Sequence, residues 1–192
     1  MPVLVNPYLS FGSGGPVDLS EPWGEVARQT SISGGKLTIS GLDLSGLLVV
    51  RLIINGLTVT TDDSPIRLRF HVAGSEVSSS TYQRTDRRVM NGVDQVGGSS
   101  GDDHIPLSSV GTSNGVGNAA TEAFHSVVTI YDVASTSLYK KSFHRSTYSV
   151  PSGDTMTIYG GGALLNTGAL TGFTVYASSN LTGGSVIVLG VE

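Results

Sequence analysis

Two patterns of apolar and polar residues stand out between positions 47 and 72. Residues 47–54 are apolar except for Arg51, and residues 66–72 alternate strictly between apolar and polar side chains. A short apolar run rich in β-branched residues is typical of a strand covered on both faces, and alternation is typical of a strand covered on one face. We therefore predict an antiparallel pair of strands, with Ile66, Leu68, Phe70 and Val72 facing the core and Arg67, Arg69 and His71 facing away.

The connections inside this unit follow from its turn-forming residues. Residues 61–65, Thr-Asp-Asp-Ser-Pro, predict a turn, because Asp side chains bond nearby amides and Pro65 fixes φ. Asn55-Gly56 suits a two-residue hairpin loop, but it also suits a bulge inside one long strand. We favour the bulge, since residues 57–60 resume a strand-like composition at once.

Similar short runs recur along the rest of the chain, separated by Gly- and Ser-rich segments. They predict strands at residues 36–40, 82–88, 126–133, 137–143, 154–159, 171–176 and 185–191. No stretch has the 3.6-residue apolar period of a capped helix. The pattern predicts an all-β fold, an antiparallel β-sandwich of jelly-roll-like type. Residues 91–120, rich in Gly, Ser, Asn and Asp, are expected to form a long loop.

The first 30 residues differ from the rest, because Pro2, Pro7, Pro16 and Pro22 interrupt any regular element. We divide the chain into an extended N-terminal arm, residues 1–30, and a β-sandwich domain, residues 31–192. The apolar arm residues either fold back on their own domain or dock on a neighbouring subunit. Our hypothesis is that they anchor the domain to a partner; these residues are Val3, Leu4, Val5, Tyr8, Leu9, Phe11 and Trp23.

Composition narrows the possible functions. The formal net charge is −4, which argues against a nucleic-acid-binding surface. The chain has no Cys, which excludes disulfides and thiolate chemistry. The N-terminus lacks the basic start and apolar core of a signal peptide, and the 47–54 run is too short to cross a bilayer. We expect no membrane insertion.

Few residues of the chain suggest catalysis or metal binding. Residues 111–115 match G-x-S-x-G, but the strand and helix that a nucleophile elbow needs are not predicted around them. Residues 102–104, Asp-Asp-His, resemble half of a metal site, with His125 or His144 as distant partners, but such residues are usually solvated in Gly-rich loops. We therefore predict no catalytic residue, cofactor or metal, and expect that the chain is not an enzyme.

Two residue groups point to binding instead. Arg84, Arg87 and Arg88 form a basic cluster that either meets an acidic partner or faces water and Asp86. Several tyrosines lie in predicted strands, where they either stack on sugars or pack in the core; these are Tyr82, Tyr139, Tyr148, Tyr159 and Tyr176.

The order of motifs resembles a group of tailed-bacteriophage virion proteins. The matching positions are Leu68 to Phe70, Gly74, Tyr82, Ser135-Thr136, Lys140 and Gly184 to Val191. The chain departs from the pattern at Val188, where no aromatic residue precedes Leu189-Gly190, and at His71, where Asn is common. The resemblance covers residues 47–192 and implies a component exposed on the virion surface.

From this resemblance we expect a non-enzymatic structural protein, attached to the capsid or tail through its N-terminal arm as a decoration, tail or fibre component. Exposed phage β-modules are commonly trimers, so we expect a homotrimer that contacts other virion proteins. The alternative is a lectin-like, receptor-binding module that recognises a glycan on the host surface. The two functions differ in partner, not in fold.

Overall fold

The computed structural model describes residues 23–30, 32–109 and 114–192, and within them it contains thirteen strands and no helix. The predicted all-β, antiparallel sandwich is confirmed. The strands are β1 (Gly24–Thr30), β2 (Ser33–Ser40), β3 (Val49–Val59), β4 (Ile66–Val72), β5 (Ser75–Glu76), β6 (Tyr82–Met90), β7 (Val93–Asp102), β8 (Ile105–Pro106), β9 (Phe124–Tyr131), β10 (Lys140–Ser149), β11 (Thr155–Leu164), β12 (Leu170–Thr182) and β13 (Ser185–Val191).

The strands form two antiparallel layers that are joined at one corner. Sheet A has the order β1-β13-β3-β9-β10-β11-β6-β7. Sheet B is smaller and has the order β2-β12-β4, with the short strands β5 and β8 pairing along the free edge of β4. The side of each sheet that faces the other layer is called its inner face, and the opposite side its outer face.

The corner is built from glycines with positive φ. Gly183 and Gly184, with φ of 72° and 86°, lie between β12 and β13, so the chain passes from sheet B into sheet A without a loop. They lie against Gly56 of β3, whose φ is 69° and where the β3–β9 register shifts. A Cβ on Gly184 would lie 2.8 Å from the Gly56 backbone, so only glycine fits there. The predicted bulge at Asn55-Gly56 is confirmed.

One prediction about the central unit is wrong. β3 and β4 are both antiparallel strands, but they do not pair with each other, because β12 lies between them in the strand order. The turn at residues 61–65 therefore connects two strands that both pair with β12. The sequence pattern gave the two strands correctly, but pairing depends on long-range partners that local alternation does not encode.

The core lies between the two inner faces. Ile66, Leu68 and Phe70 are fully buried, as predicted. The Phe70 ring packs edge-on against Phe173 at 6.0 Å between centroids. His71 lies on the outer face of β4, as predicted, but it is only 4% exposed. Its Nε2 lies 2.7 Å from the Thr174 hydroxyl.

Residues 91–120 were expected to be a loop, and this prediction is wrong. They contain β7, which pairs with β6 along its whole length, and the short strand β8. Asn91 and Gly92 both have positive φ, 49° and 76°, and together form a two-residue hairpin turn. The Asn-Gly dipeptide was a signal for this hairpin, but the Gly- and Ser-rich composition of β7 concealed the strand.

The N-terminal boundary also differs from the prediction. Residues 24–30 were assigned to the arm, but they form β1 and pair with β13 at one edge of sheet A. Trp23 immediately precedes this strand. Residues 1–22, which include the predicted anchor residues Val3, Leu4, Val5, Tyr8, Leu9 and Phe11, lie outside the described residues.

Candidate functional site

The outer face of sheet A exposes large apolar side chains on three neighbouring strands. Val127 and Tyr131 lie on β9, Phe143 on β10 and Tyr159 on β11; their exposed fractions are 41%, 45%, 52% and 38%. The strand registers place Thr129 directly beside Phe143, and Arg145 directly beside both Val127 and Tyr159, so the apolar side chains are diagonal neighbours of Phe143 with polar residues between them. A patch of this kind marks an interaction surface more often than scattered apolar residues do.

A shallow cleft runs along one row of this face. The strand registers place Ile187 beside Ile53, Ile53 beside Val127, and Val127 beside Arg145. The cleft has a volume of about 480 Å³, and Arg28 lines its other end. Clefts that bind small ligands or side chains of a partner span about 300–1,000 Å³. One row of the cleft is apolar between two arginines, and polar side chains such as Asn55 and His125 line it alongside. This mixture suits a partner that has both apolar groups and negative charge.

The charges of this face are mainly positive. Two arginines are paired with carboxylates, Arg28 with Glu25 at 2.6 Å and Arg87 with Asp94 at 2.5 Å. Arg145 lies 5.3 Å from the centroid of the Tyr159 ring. Neither Arg145 nor Lys141 has an ion pair within the described part of the chain. These two cations are free to meet an acidic partner.

Trp23 lies on this same face. Its ring covers the guanidinium of Arg51, with 4.2 Å from Cζ to the ring centroid. Arg51 points outward from β3, between the buried residues Val50 and Leu52. Trp23 was predicted to anchor the chain to a partner, but within this chain it packs on the outer face of sheet A.

The outer face of sheet B holds a polar network instead of an apolar patch. Arg69 is central, because its Nη1 donates to Glu76 Oε1 at 2.8 Å and its Nη2 donates to Asp103. The ring of His104 donates to the other Asp103 oxygen at 2.5 Å. The Tyr176 ring covers the Arg69 guanidinium at 4.6 Å. These contacts fasten β5 and the segment after β7 to β4.

The electrostatics of this network favour ionised carboxylates. Burial opposes ionisation of Glu76, but hydrogen bonds from Arg69 and neighbouring groups outweigh it and lower the pKa. Burial likewise opposes ionisation of Asp103, and hydrogen bonds from His104 and Arg69 lower its pKa. Burial lowers the pKa of His104. A carboxyl group that acts as a general acid at neutral pH needs a raised pKa, so the ionised Glu76 and Asp103 fit an ion-pair network that supports the fold.

The predicted basic cluster is divided between two sides of sheet A. Arg84 and Arg88 bind the carboxylate of Asp86 from either side, at 2.7 Å and 2.6 Å. Asp86 is 4% exposed, and Asp102 also pairs with Arg84 at 2.7 Å, so two carboxylates balance the two arginines. Only Arg87 points outward, where it pairs with Asp94. Of the two alternatives for this cluster, the structure supports pairing with Asp86 for Arg84 and Arg88.

Two of the candidate sugar-stacking tyrosines are core residues. The Tyr82 hydroxyl accepts from the Phe70 amide at 2.9 Å and donates to the Val77 carbonyl at 3.0 Å, which links the two sheets. The Tyr148 hydroxyl accepts from the Ser109 amide at 2.8 Å. Burial raises the pKa of both phenols. Neither ring is accessible to a sugar.

Tyr139 lies in a second cleft, at the end of sheet A where β10 begins. It is 50% exposed, and the cleft has a volume of about 430 Å³. Asp132, Lys141 and Thr167 also line it. An exposed aromatic ring beside a carboxylate, an ammonium and a hydroxyl matches the mixed apolar and polar character of small-ligand sites.

The remaining motifs are used in the fold or lie outside the description. Asp102 accepts from Arg84 Nε at 2.7 Å, and Asp103 accepts from Arg69, so the two carboxylates of the Asp-Asp-His motif pair with arginines. No group of three or more His, Asp or Glu in the described ranges could hold a metal ion. Residues 111–113 of the G-x-S-x-G match lie outside the described residues.

The chain matches no family model, no curated protein sequence and no solved structure. The similarity to phage virion proteins therefore stays a prediction from the residues quoted above. Among the described residues, no helix is long and apolar enough to cross a membrane.

Proposed function

We propose that this chain is a non-enzymatic structural protein of a tailed-phage virion, a surface-exposed β-module that binds the capsid or tail through its N-terminal segment and the outer face of sheet A. The observation that carries this proposal is the group of exposed apolar side chains around Phe143 on one face of sheet A, namely Val127, Tyr131, Phe143 and Tyr159. In a chain with 14% charged residues, such a patch needs a protein partner.

Burial of these side chains contributes to assembly but does not account for it alone. Each is already about half buried, so covering the rest contributes roughly half of the 1.5–3 kcal/mol of a fully buried side chain. Association costs at least about 4 kcal/mol in lost freedom, so further contacts of the same face must contribute. The clustering of exposed rings and the free cation Arg145 also match the residue types that dominate protein interfaces.

Incorporation into particles tests this proposal. Phage carrying Phe143→Glu in this chain is expected to contain less of the protein by about tenfold or more, because a carboxylate replaces an apolar contact. Immunogold labelling with an antibody against the chain measures the amount and shows whether it lies on the head or the tail. The purified variant should keep its far-UV circular dichroism spectrum, since Phe143 is half exposed.

Val93→Glu is the matched control. Val93 is 58% exposed and lies at the start of β7, away from the apolar patch. Its substitution is expected to leave incorporation unchanged. Equal incorporation of the two variants, or absence of the wild-type protein from purified particles, would contradict the proposed function.

The assembled form is proposed to be a homotrimer, an expectation that comes from the resemblance. Light scattering of the full chain at micromolar concentration is expected to give the mass of three chains. A monomer under these conditions would argue against a trimer formed without other virion proteins.

A second candidate function, glycan binding, is supported by the Tyr139 cleft. The exposed ring can stack on a sugar, and Asp132 and Lys141 can bond its hydroxyls. A glycan-array screen of the wild-type chain tests it, with Tyr139→Ala as the variant that should lose binding. Val93→Glu should bind as the wild type does. An array without any signal for the wild-type chain argues against this candidate.

A further inference from the structure

We propose that the outer face of sheet A holds a groove for an acidic oligosaccharide, with one sugar in the Tyr139 cleft and a carboxylated sugar in the cleft beside it. This inference rests on the second candidate function, because it names the class of glycan that binds. Three observations carry it: two clefts that share a lysine, a flat floor between polar walls, and the distribution of unpaired charge.

A third cleft, here called the β11 cleft, lies next to the Tyr139 cleft. Its volume is about 420 Å³, and its lining residues come from β6, β10 and β11. Lys141 lines both clefts, so a ligand that extends from one cleft into the other passes the side chain of this residue. The two clefts together therefore suit an elongated ligand with more than one unit.

The strand registers explain the shape of the β11 cleft. Ala163 pairs with Lys141 on β10 and with Gln83 on β6. In the next outward-facing row, Gly161 pairs with Thr85 on β6. The side chains of β10 and β6 are thus two strand spacings apart, about 10 Å, with no side chain larger than a methyl group between them in these rows. The result is a flat floor between polar walls, which leaves room for a ring to lie on the sheet.

Polar side chains of both clefts are free to bind a ligand. Gln83 and Thr85 line the β11 cleft, and Asp132 lines the Tyr139 cleft. None of these three side chains forms a hydrogen bond or an ion pair within the described part of the chain. An amide, a hydroxyl and a carboxylate can together donate to and accept from the hydroxyls of a sugar. The half-exposed Tyr139 ring adds an apolar surface on which a sugar ring can stack.

The charges indicate where the acidic sugar lies. Arg84 and Lys141 both line the β11 cleft, but Arg84 is paired with the carboxylates of Asp86 and Asp102. Lys141 has no ion pair, and no carboxylate is among the described residues that line this cleft. Asp132, in contrast, lines the Tyr139 cleft. Opposite charges attract, so the carboxylated sugar is placed in the β11 cleft and a neutral sugar in the Tyr139 cleft.

A glycan array probed with the labelled full chain tests the class of ligand. The array carries oligosaccharides of equal length that contain a uronic acid, a sialic acid or only neutral sugars, together with carboxyl-reduced forms of the acidic ones. The acidic glycans are expected to give signals about tenfold or more above those of the neutral and reduced forms, because a charge-assisted hydrogen bond to Lys141 is lost without the carboxylate. The uronic and sialic acids separate the two sources of that carboxylate.

Variants on the same array test the assigned residues. Lys141→Met is expected to lose the acidic signal about tenfold or more, while the weaker signal of the reduced glycans stays the same. Ala163→Ile, which places a larger side chain on the floor of the β11 cleft, is also expected to weaken the acidic signal. Lys36→Met is the matched control, because Lys36 is an exposed lysine on β2 of sheet B, and it is expected to bind as the wild type does.

The other outcomes overturn the inference. Equal or stronger binding of neutral glycans would show that the ligand is not acidic, and the second candidate function would still hold. Unchanged acidic binding by Lys141→Met, or an equal loss in Lys36→Met, would show that the carboxylate does not lie at Lys141. An array with no signal would overturn both the inference and the second candidate function. The proposed structural function fails separately, because it is scored by particle incorporation of the Phe143→Glu variant.

Discussion

Protonation of one buried histidine should make the fold sensitive to acid. His144 lies on the inner face of β10, is 1% exposed, and neither of its ring nitrogens has a hydrogen-bond partner in the described part of the chain. Its ring fills the space over Gly160, where a Cβ would lie 2.3 Å from His144 Cε1. Burial lowers the pKa of His144 from 6.5 to about 4, and the nearby Asp86 carboxylate only partly opposes this.

The sign and size of the effect follow from linkage. Between pH 6.5 and about 4, the unfolded chain holds a proton on this residue that the folded chain does not hold. Stability therefore falls as the pH falls through this window. The full difference in pKa corresponds to about 3.4 kcal/mol, of which about 2.5 kcal/mol is lost on going from neutral pH to about pH 4.5.

The perturbation is His144→Leu, which removes the titrating group and keeps a similar volume. Urea unfolding followed by circular dichroism gives the free energy of unfolding at about pH 7 and about pH 4.5. The quantity compared is the free energy of unfolding of the variant minus that of the wild type. This difference is expected to be about 2.5 kcal/mol larger at about pH 4.5 than at about pH 7. Comparing the two proteins removes the contributions of other titrating groups, since these are common to both.

Ser146→Ala is the control on the same face of β10. Ser146 is buried, and its hydroxyl bonds Ser126 at 2.9 Å, but it does not titrate. This variant is expected to change stability by the same amount at both pH values. If His144→Leu behaves in the same way, with no extra gain in acid, then His144 is not held neutral by burial and the reasoning fails.

Three further predictions concern stability and are measured by urea unfolding. Asp86→Asn is expected to cost about 3 kcal/mol, because it leaves Arg88 without a carboxylate partner and leaves Arg84 with Asp102 alone. Lys140→Met is expected to cost about 3 kcal/mol, because the Lys140 ammonium donates to three carbonyl oxygens at 2.6–3.0 Å. Lys141 is exposed, so Lys141→Met is expected to leave the stability nearly unchanged. Phe70→Ala is expected to cost about 3–5 kcal/mol, because the ring is fully buried.

Each of these predictions can fail in a defined way. Asp94→Asn removes an exposed partner of Arg87, so a loss equal to that of Asp86→Asn would show that burial is not what matters for the pair. Equal losses from Lys140→Met and Lys141→Met would contradict the assigned faces of β10. A small loss for Phe70→Ala would mean that the contact between the two sheets is not a packed core.

The sequence alone indicated that this protein is built of strands and located most of them, but it did not reveal β1 or β7. Alternation over residues 66–72 and apolar runs elsewhere reflect the period of a β-strand, a local property that each segment carries by itself. The positive φ that Asn55-Gly56 permits likewise indicated the bulge in β3. These features depend on neighbouring residues only, so they can be recognised before any long-range contact is known.

Only the tertiary structure decided which strands pair and which faces are buried. Residues 140–149 alternate, but nothing local indicates that Phe143 points outward and His144 inward. The register of β10 with β9 and β11 decides which side chains face the core. Val128, the neighbour of His144 on β9, is a core residue. A slip of one residue would exchange the two faces of β10. The candidate assembly face and the buried histidine both arise from this one register, and long-range pairing is the physical reason that the sequence pattern could not predict them.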